Sequence, residues 1–259
     1  MAPSPVPLLV GIAFAVSVVI LASLLLWKGR MVFAARIIAW TAAALLGFLL
    51  FAPMFPYQIQ QVALGNTAQL PMPVPIVLVI IAVMMLTALF VGRAFCGYAC
   101  PVGGVQEIVY RAPTKKLMLR STRWPFALRV VALASLLVLA VGFGLSFLGE
   151  LGMKEFFALN FGSLVGFAFL AIVGAALFVY RPFCRFLCPF GALQSPLSHR
   201  PVLSLRRTES CINCGKCERV CPTNQAKRSS SRMDCFLCLR CVDSCPKGAI
   251  VYSRSTKEK

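Results

Sequence analysis

Five stretches of this chain, residues 6–27, 36–55, 75–95, 126–148 and 162–180, each run for about twenty residues with almost no charge. Nothing constrains the fold more. A run of that length crosses ~30 Å of hydrocarbon as a helix, because a helix satisfies its own backbone where water is absent. Only 13% of the residues are charged, against about 25% in soluble domains, and 59% are hydrophobic. The expected fold is an all-α polytopic membrane domain of about five transmembrane helices.

The few charges orient it. The formal net charge of +18 suggests nucleic acid, but the placement of the charges speaks for a membrane surface. Lys28, Arg30 and Arg36 follow the first run. Arg93, Arg111, Lys115, Lys116, Arg120, Arg123 and Arg129 follow the third, and the remainder, apart from Lys154, follow the fifth. If the runs alternate across a bilayer, every basic residue except Lys154 falls on one side. The positive-inside rule then sets the N-terminus outside and the C-terminal tail in the cytoplasm of a prokaryotic cell membrane. A cleaved leader is disfavoured, because basic residues follow the first apolar run instead of preceding it. No glycine-rich phosphate loop appears, so nucleotide binding has no support.

Twelve cysteines fall into two kinds of pattern. In the tail, CINCGKCERVCP begins at Cys211 and CFLCLRCVDSCP at Cys235. Both read C-x2-C-x2-C-x3-C-P, the run of bacterial two-cluster ferredoxins. By that resemblance Cys211, Cys214, Cys217 and Cys245 hold one [4Fe–4S] cluster, and Cys235, Cys238, Cys241 and Cys221 hold the other. Zinc in two C-x2-C pairs is the plainer alternative. The tail is expected to form a small α+β ferredoxin domain.

The other pattern appears twice, as GRAFCGYACPVGGVQE and VYRPFCRFLCPFGALQ, each ending an apolar run. At an offset of 88 residues, Arg93 matches Arg181, Phe95 matches Phe183, Cys96 matches Cys184, and Cys100 matches Cys188. Pro101 matches Pro189, Gly103 matches Gly191, and Gln106 matches Gln194. Residues 36–106 and 126–194 thus read as two repeated hairpins related by an axis along the membrane normal. Cysteines four apart share a helical face, and the proline starts a new helix with glycine favouring a sharp exit. Four thiols gathered by the repeat suffice for a further iron–sulfur centre. Alternatively each pair is a dithiol that opens and closes, or the cysteines are small apolar packers.

Paired C-x3-C-P motifs followed by a two-cluster tail resemble the NapH-type membrane ferredoxins and the wider NapH, NosR and CcoG polyferredoxin group. The resemblance spans residues 36–252, leaving 1–35 as an extra N-terminal helix, 36–200 as a four-helix membrane domain and 201–259 as the ferredoxin domain. It implies an electron-transfer subunit of quinol-dehydrogenase type. Such a subunit passes electrons between quinone and [4Fe–4S] clusters toward other electron-transfer subunits, such as a soluble ferredoxin-like or cytochrome protein. It also admits two alternatives, an electron donor for assembling or activating a metalloenzyme and a redox-sensing regulator. No catalytic residue is assigned.

Other residues invite weighing. His199 is the sole histidine, so two histidines cannot hold a haem within the chain. It reads as an interfacial histidine or a proton relay. Gln106 and Gln194 read as partners for a quinone or the thiols, or as helix-packing residues. Arg93 and Arg181 read as stabilisers of thiolates or as interface anchors. Trp27, Trp40 and Trp124 lie near run ends, where aromatic belts form.

Overall fold

The computed structural model describes residues 6–50, 60–62, 64–65, 73–119, 121–143 and 164–254. Lys154, with Glu150 and Glu155, lies outside the described residues, as does most of the glutamine-rich segment before residue 73.

Apolar runs become helices bounded by the residues that cannot continue them. Helix α1 (Val6–Trp27) ends where Gly29 turns left-handed at φ 63°. Helix α2 spans Phe33–Leu50, and α3 (Val74–Val91) carries a proline in its first turn and stops at Gly92, φ 67°. A π-helical turn, π1 (Phe95–Ala99), then leads into α4 (Pro101–Val109). Helices α5 (Arg123–Phe143) and α6 (Leu164–Ala175) follow, then π2 (Phe183–Leu187) and α7 (Pro189–Leu197). Three of these helices, α1, α3 and α5, are long and apolar enough to cross a membrane, and α2 and α6 are shorter apolar helices.

Side-chain size sorts the helix faces. The closed faces carry alanines such as Ala15, Ala22, Ala43, Ala88 and Ala140, all buried. Small residues let helix backbones approach where no hydrophobic effect drives association. The open faces carry Ile20, Ile38, Leu45, Val79, Val138 and Phe167, each more than half exposed. That surface suits lipid. Trp27 and Trp124 are exposed, in keeping with a belt. Trp40 departs from that expectation: it is fully buried, donates from Nε1 to the Gly97 carbonyl at 3.0 Å and stacks on Tyr98.

The tail closes on a two-stranded sheet. Strand β1 (Leu203–Arg207) pairs antiparallel with β2 (Ile250–Arg254), in register from Leu203 opposite Arg254 to Arg207 opposite Ile250. Between them run both cysteine triplets and two short helices, α8 (Lys216–Val220) and α9 (Arg240–Asp243). The sheet hangs from the end of α3, because Tyr252 donates to the Val91 carbonyl at 3.0 Å and the Val202 amide to Leu89 at 3.0 Å.

The two C-x3-C-P motifs take one shape. Elements π1 and α4 recur as π2 and α7 at the 88-residue offset. Each motif departs from the α-helical spacing expected of it. The Cys100 amide donates to Phe95 and the Cys188 amide to Phe183, both at 2.9 Å and five residues back, so a π turn carries Cys96 and Cys184. Such turns recur at functional sites. The glycines do not form exits either. They sit inside α4 and α7, where a Cβ on Gly103 would lie 2.5 Å from the Cys96 carbonyl and one on Gly191 2.9 Å from Arg93.

Candidate metal centres

Each rim cysteine pair is built by its π turn. The first cysteine sits within the turn, and the second caps the following helix in extended conformation, with proline next in the first turn. The Gly191 amide donates to the Cys188 sulfur at 3.4 Å. A helix N-terminus favours negative charge there. The pairs then interlock. Cys96 donates to Gln194 Oε1 at 2.9 Å, while Gln106 Nε2 lies 3.6 Å from the Cys184 sulfur. Each glutamine therefore reaches a sulfur of the opposite motif while also packing the helices, Gln106 by donating to the Val102 carbonyl and accepting from the Phe183 amide, and Gln194 by donating to the Met84 carbonyl. All four sulfurs interact electrostatically with one another.

The matched arginines are not surface anchors. Arg93 is 1% and Arg181 0% exposed. Arg181, left-handed at φ 46°, donates to the carbonyls of Cys96 and Gly97 and pairs with buried Glu107 at 3.1 Å. Holding a bulky residue left-handed stores strain of the kind found at functional sites. Arg93 interacts electrostatically with Cys96, Cys184 and Cys188, and its Nε and Nη2 are buried without a described hydrogen-bond partner. Burial and neighbouring sulfurs push the Cys100 and Cys184 thiols up, and Cys188 to about 12. An anionic group beside these thiols would meet the two Arg93 nitrogens that have no described partner. The donor set fits an iron–sulfur centre.

In the tail, the predicted sets gather. One partly open cavity is lined by Cys221, Cys235, Cys238 and Cys241, and a second by Cys211, Cys214, Cys217 and Cys245. Among the described residues no three His, Cys, Asp or Glu side chains close on a point as ligands of a single ion would.

The two loops share a backbone. Asn213 and Gly215 are left-handed in one, Leu237 and Leu239 in the other. Leucine pays steric strain for that conformation, so the fold must hold it there. The Gln225 amide donates to the Cys221 sulfur at 3.2 Å, and the Ala249 amide to Cys245 at 3.3 Å. Their surroundings differ. Burial pushes Cys235 to about 12, whereas the Asn213 amide holds the half-buried Cys211 thiol below its ordinary value.

The second loop is plugged into the rim. Asp234 pairs with Arg93 and Arg129, both at 2.8 Å, with all three side chains at most 2% exposed. The Phe236 ring lies between Arg93 at 4.3 Å and Arg181 at 5.0 Å. Its carbonyl would lie 2.6 Å from a Cβ on Gly97, so only glycine lets π1 approach. Tyr98 donates to the Leu237 carbonyl at 2.6 Å, and Arg36 to Cys238 at 3.3 Å. From π2, Arg185 reaches the Pro222 carbonyl at 3.4 Å, beside Cys221. Both rim motifs thus contact the segments that carry Cys221 and Cys235.

Sequence reading missed Glu107, Asp234 and Phe236. The signal for the acids was scarcity, since a chain with only eight acidic residues places Glu107 beside Gln106 and Asp234 beside Cys235. His199 is exposed and at no centre.

Comparison with known proteins agrees with this chemistry. The 4Fe-4S binding domain family matches residues 73–126 and 161–207, which contain both rim motifs, and a second 4Fe-4S binding domain family matches 206–225. The uncharacterised protein MJ0750 of Methanocaldococcus jannaschii is 28% identical over 69% of this chain and 79% of its own length. The putative electron transport protein YccM of Escherichia coli is 27% identical over 70% and 56%. The ferredoxin-type protein NapH of Escherichia coli is 26% identical over 64% and 63%. No solved structure matches the chain.

Proposed function

We propose that this chain, which belongs to the NapH/NosR ferredoxin-type membrane family and carries 4Fe-4S binding domains, passes electrons between the quinone pool and its clusters toward a respiratory partner. One observation carries the proposal. The eight tail thiols line two cavities in the crossed sets of a two-cluster ferredoxin, and the Cys235 loop is held against the rim motifs by Tyr98 and Arg93.

In this reading, Cys211, Cys214, Cys217 and Cys245 hold cluster 1. Cys235, Cys238, Cys241 and Cys221 hold cluster 2, and Cys96, Cys100, Cys184 and Cys188 hold a third centre. Iron–sulfur centres accept and release single electrons. The residues of the chain set the order. Elements π1 and π2 fix the rim thiols against the cluster 2 loop, while crossed contacts from Gln106 and Gln194 draw the two motifs together. Arg93 and Arg181 supply positive charge in a dry site, where it opposes the negative charge of thiolates most strongly. The route runs from the rim to cluster 2 and then to cluster 1.

Five membrane-spanning helices with the N-terminus outside complete the arrangement: an extra helix in 1–35, the repeated hairpins in 36–200 and a cytoplasmic ferredoxin domain in 201–259. The charge pattern and the matching 88-residue units support it. The test is to add quinol to anaerobic, oxidised protein and follow bleaching of the cluster absorbance. Rapid bleaching is expected. No reduction by ubiquinol or menaquinol would leave the donor-for-assembly reading in its place.

A further inference from the structure

The cavity of Cys211, Cys214, Cys217 and Cys245 differs from its twin in what surrounds it. Cys214 is exposed, and Ile212 beside it is 58% exposed. The contacts described for residues 211–219 remain within the tail. The Cys211 amide bonds to Thr208, Asn213 accepts from Arg228 at 3.2 Å, and Glu218 pairs with Arg207 at 2.6 Å. The rim grips the other loop. Among the described residues the Cys211 loop makes no hydrogen bond or ion pair with the membrane domain.

Its charge is mainly positive. Lys216 and Lys247 are exposed and line the same cavity as the four thiols, and Arg228 is held against the loop through Asn213. Of the nearby acids, Glu218 is already paired with Arg207, which leaves exposed Glu209 as a single negative charge beside Lys216, Lys247 and Arg228. An exposed apolar centre ringed by cations, over a buried redox site, has the composition of a transient docking patch. Rim charges of this kind chiefly raise association rates and select the partner by sign.

We infer that this face is a docking surface for a small, acidic, soluble one-electron carrier, with Ile212 at its centre and Lys216, Lys247 and Arg228 on its rim. The inference rests on the electron-transfer reading and adds to it the partner's chemistry and its point of exchange. One electron leaves the donor and enters the acceptor, with no bond made or broken. A basic carrier is excluded by like charge, and the cluster 2 loop by its burial against the rim.

The test uses the full chain in phosphatidylcholine nanodiscs and a plant-type acidic [2Fe–2S] ferredoxin as probe. Fluorescence anisotropy reads affinity, and stopped-flow absorbance reads electron exchange after chemical reduction. The Lys216→Glu, Lys247→Glu double variant is expected to weaken ferredoxin binding about tenfold or more, and the corresponding double glutamine variant by less. Cluster absorbance and iron content verify that each variant is folded. Binding should weaken as salt rises, and basic cytochrome c should bind no better than background.

Unchanged ferredoxin affinity in the folded double glutamate variant overturns the inference, as does equal binding of cytochrome c. So does protection of Lys216 and Lys247 from a water-soluble acylating reagent on moving to phosphatidylglycerol discs, because it assigns the face to lipid. Binding needs no quinol. Sign-selective binding in protein that quinol cannot reduce would sink the quinone reading and leave this surface standing.

Discussion

Replacing Asp234 by asparagine should release the ferredoxin domain from the membrane domain. The carboxylate holds Arg93 and Arg129 at 2.8 Å, with side-chain exposures of 2%, 1% and 0%. Removing one partner of a buried ion pair costs about 3–5 kcal/mol, because the remaining charges stay desolvated. Here two guanidinium groups are stranded at once. At about 1.4 kcal/mol per tenfold, the local opening constant should rise by two to three orders of magnitude. The internal control is Asp243, which pairs with Arg36 at 2.7 Å but is 45% exposed. Arg36 is itself only 3% exposed and is gripped by both oxygens, but water reaches the Asp243 side, so Asp243→Asn should raise opening less than Asp234→Asn does. Hydrogen exchange of a peptide covering residues 234–243, followed by mass spectrometry, reads both. Equal protection in the two variants would refute the idea that a buried charge cluster docks the second loop.

Other expectations follow from the same contacts. Gly103→Ala and Gly191→Ala push a methyl group into the Cys96 carbonyl and Arg93 respectively, and should each cost about 1–3 kcal/mol in thermal stability. Phe236→Leu removes the ring between Arg93 and Arg181. It should slow electron passage from rim to cluster 2 in stopped-flow absorbance while tail iron stays constant. Gln106→Leu and Gln194→Leu should alter the electron paramagnetic resonance signal of the third centre alone, since each touches a rim sulfur of the opposite motif. Protonating Glu107 should loosen the rim. Burial alone would raise its carboxyl, but Arg181, Arg240, Arg111 and the Tyr180 hydroxyl outweigh that and hold it below the ordinary 4.5. A lowered folded value means stability is present above pH 4.5 and is lost as pH falls through and below it, readable in the same exchange experiment.

What the sequence made legible was whatever repeats or follows a period. The first apolar run matched α1 end to end, and the 88-residue offset foretold the recurrence of π1 and α4 as π2 and α7. Which cysteines line each tail cavity followed from the sequence because their spacing is set by a local loop. The π turns were not, since a C-x3-C spacing suits an α-helix equally well and only the packed rim selects the wider turn. Nor was the inward turn of Arg93, Arg181 and Trp40. Arginine and tryptophan near the end of an apolar run normally seek the interface, and the acids that draw the arginines in lie up to 141 residues away. Asp234 and Phe236 gained their roles only when the tail folded back.

The most direct test is the iron and acid-labile sulfide content of anaerobically purified protein, compared with the Cys96→Ser, Cys184→Ser variant. Three centres give about ten to twelve irons per chain, falling to about eight in the variant, which keeps the tail clusters. About eight irons in both proteins would remove the rim centre, and colourless, iron-free protein would contradict the account altogether.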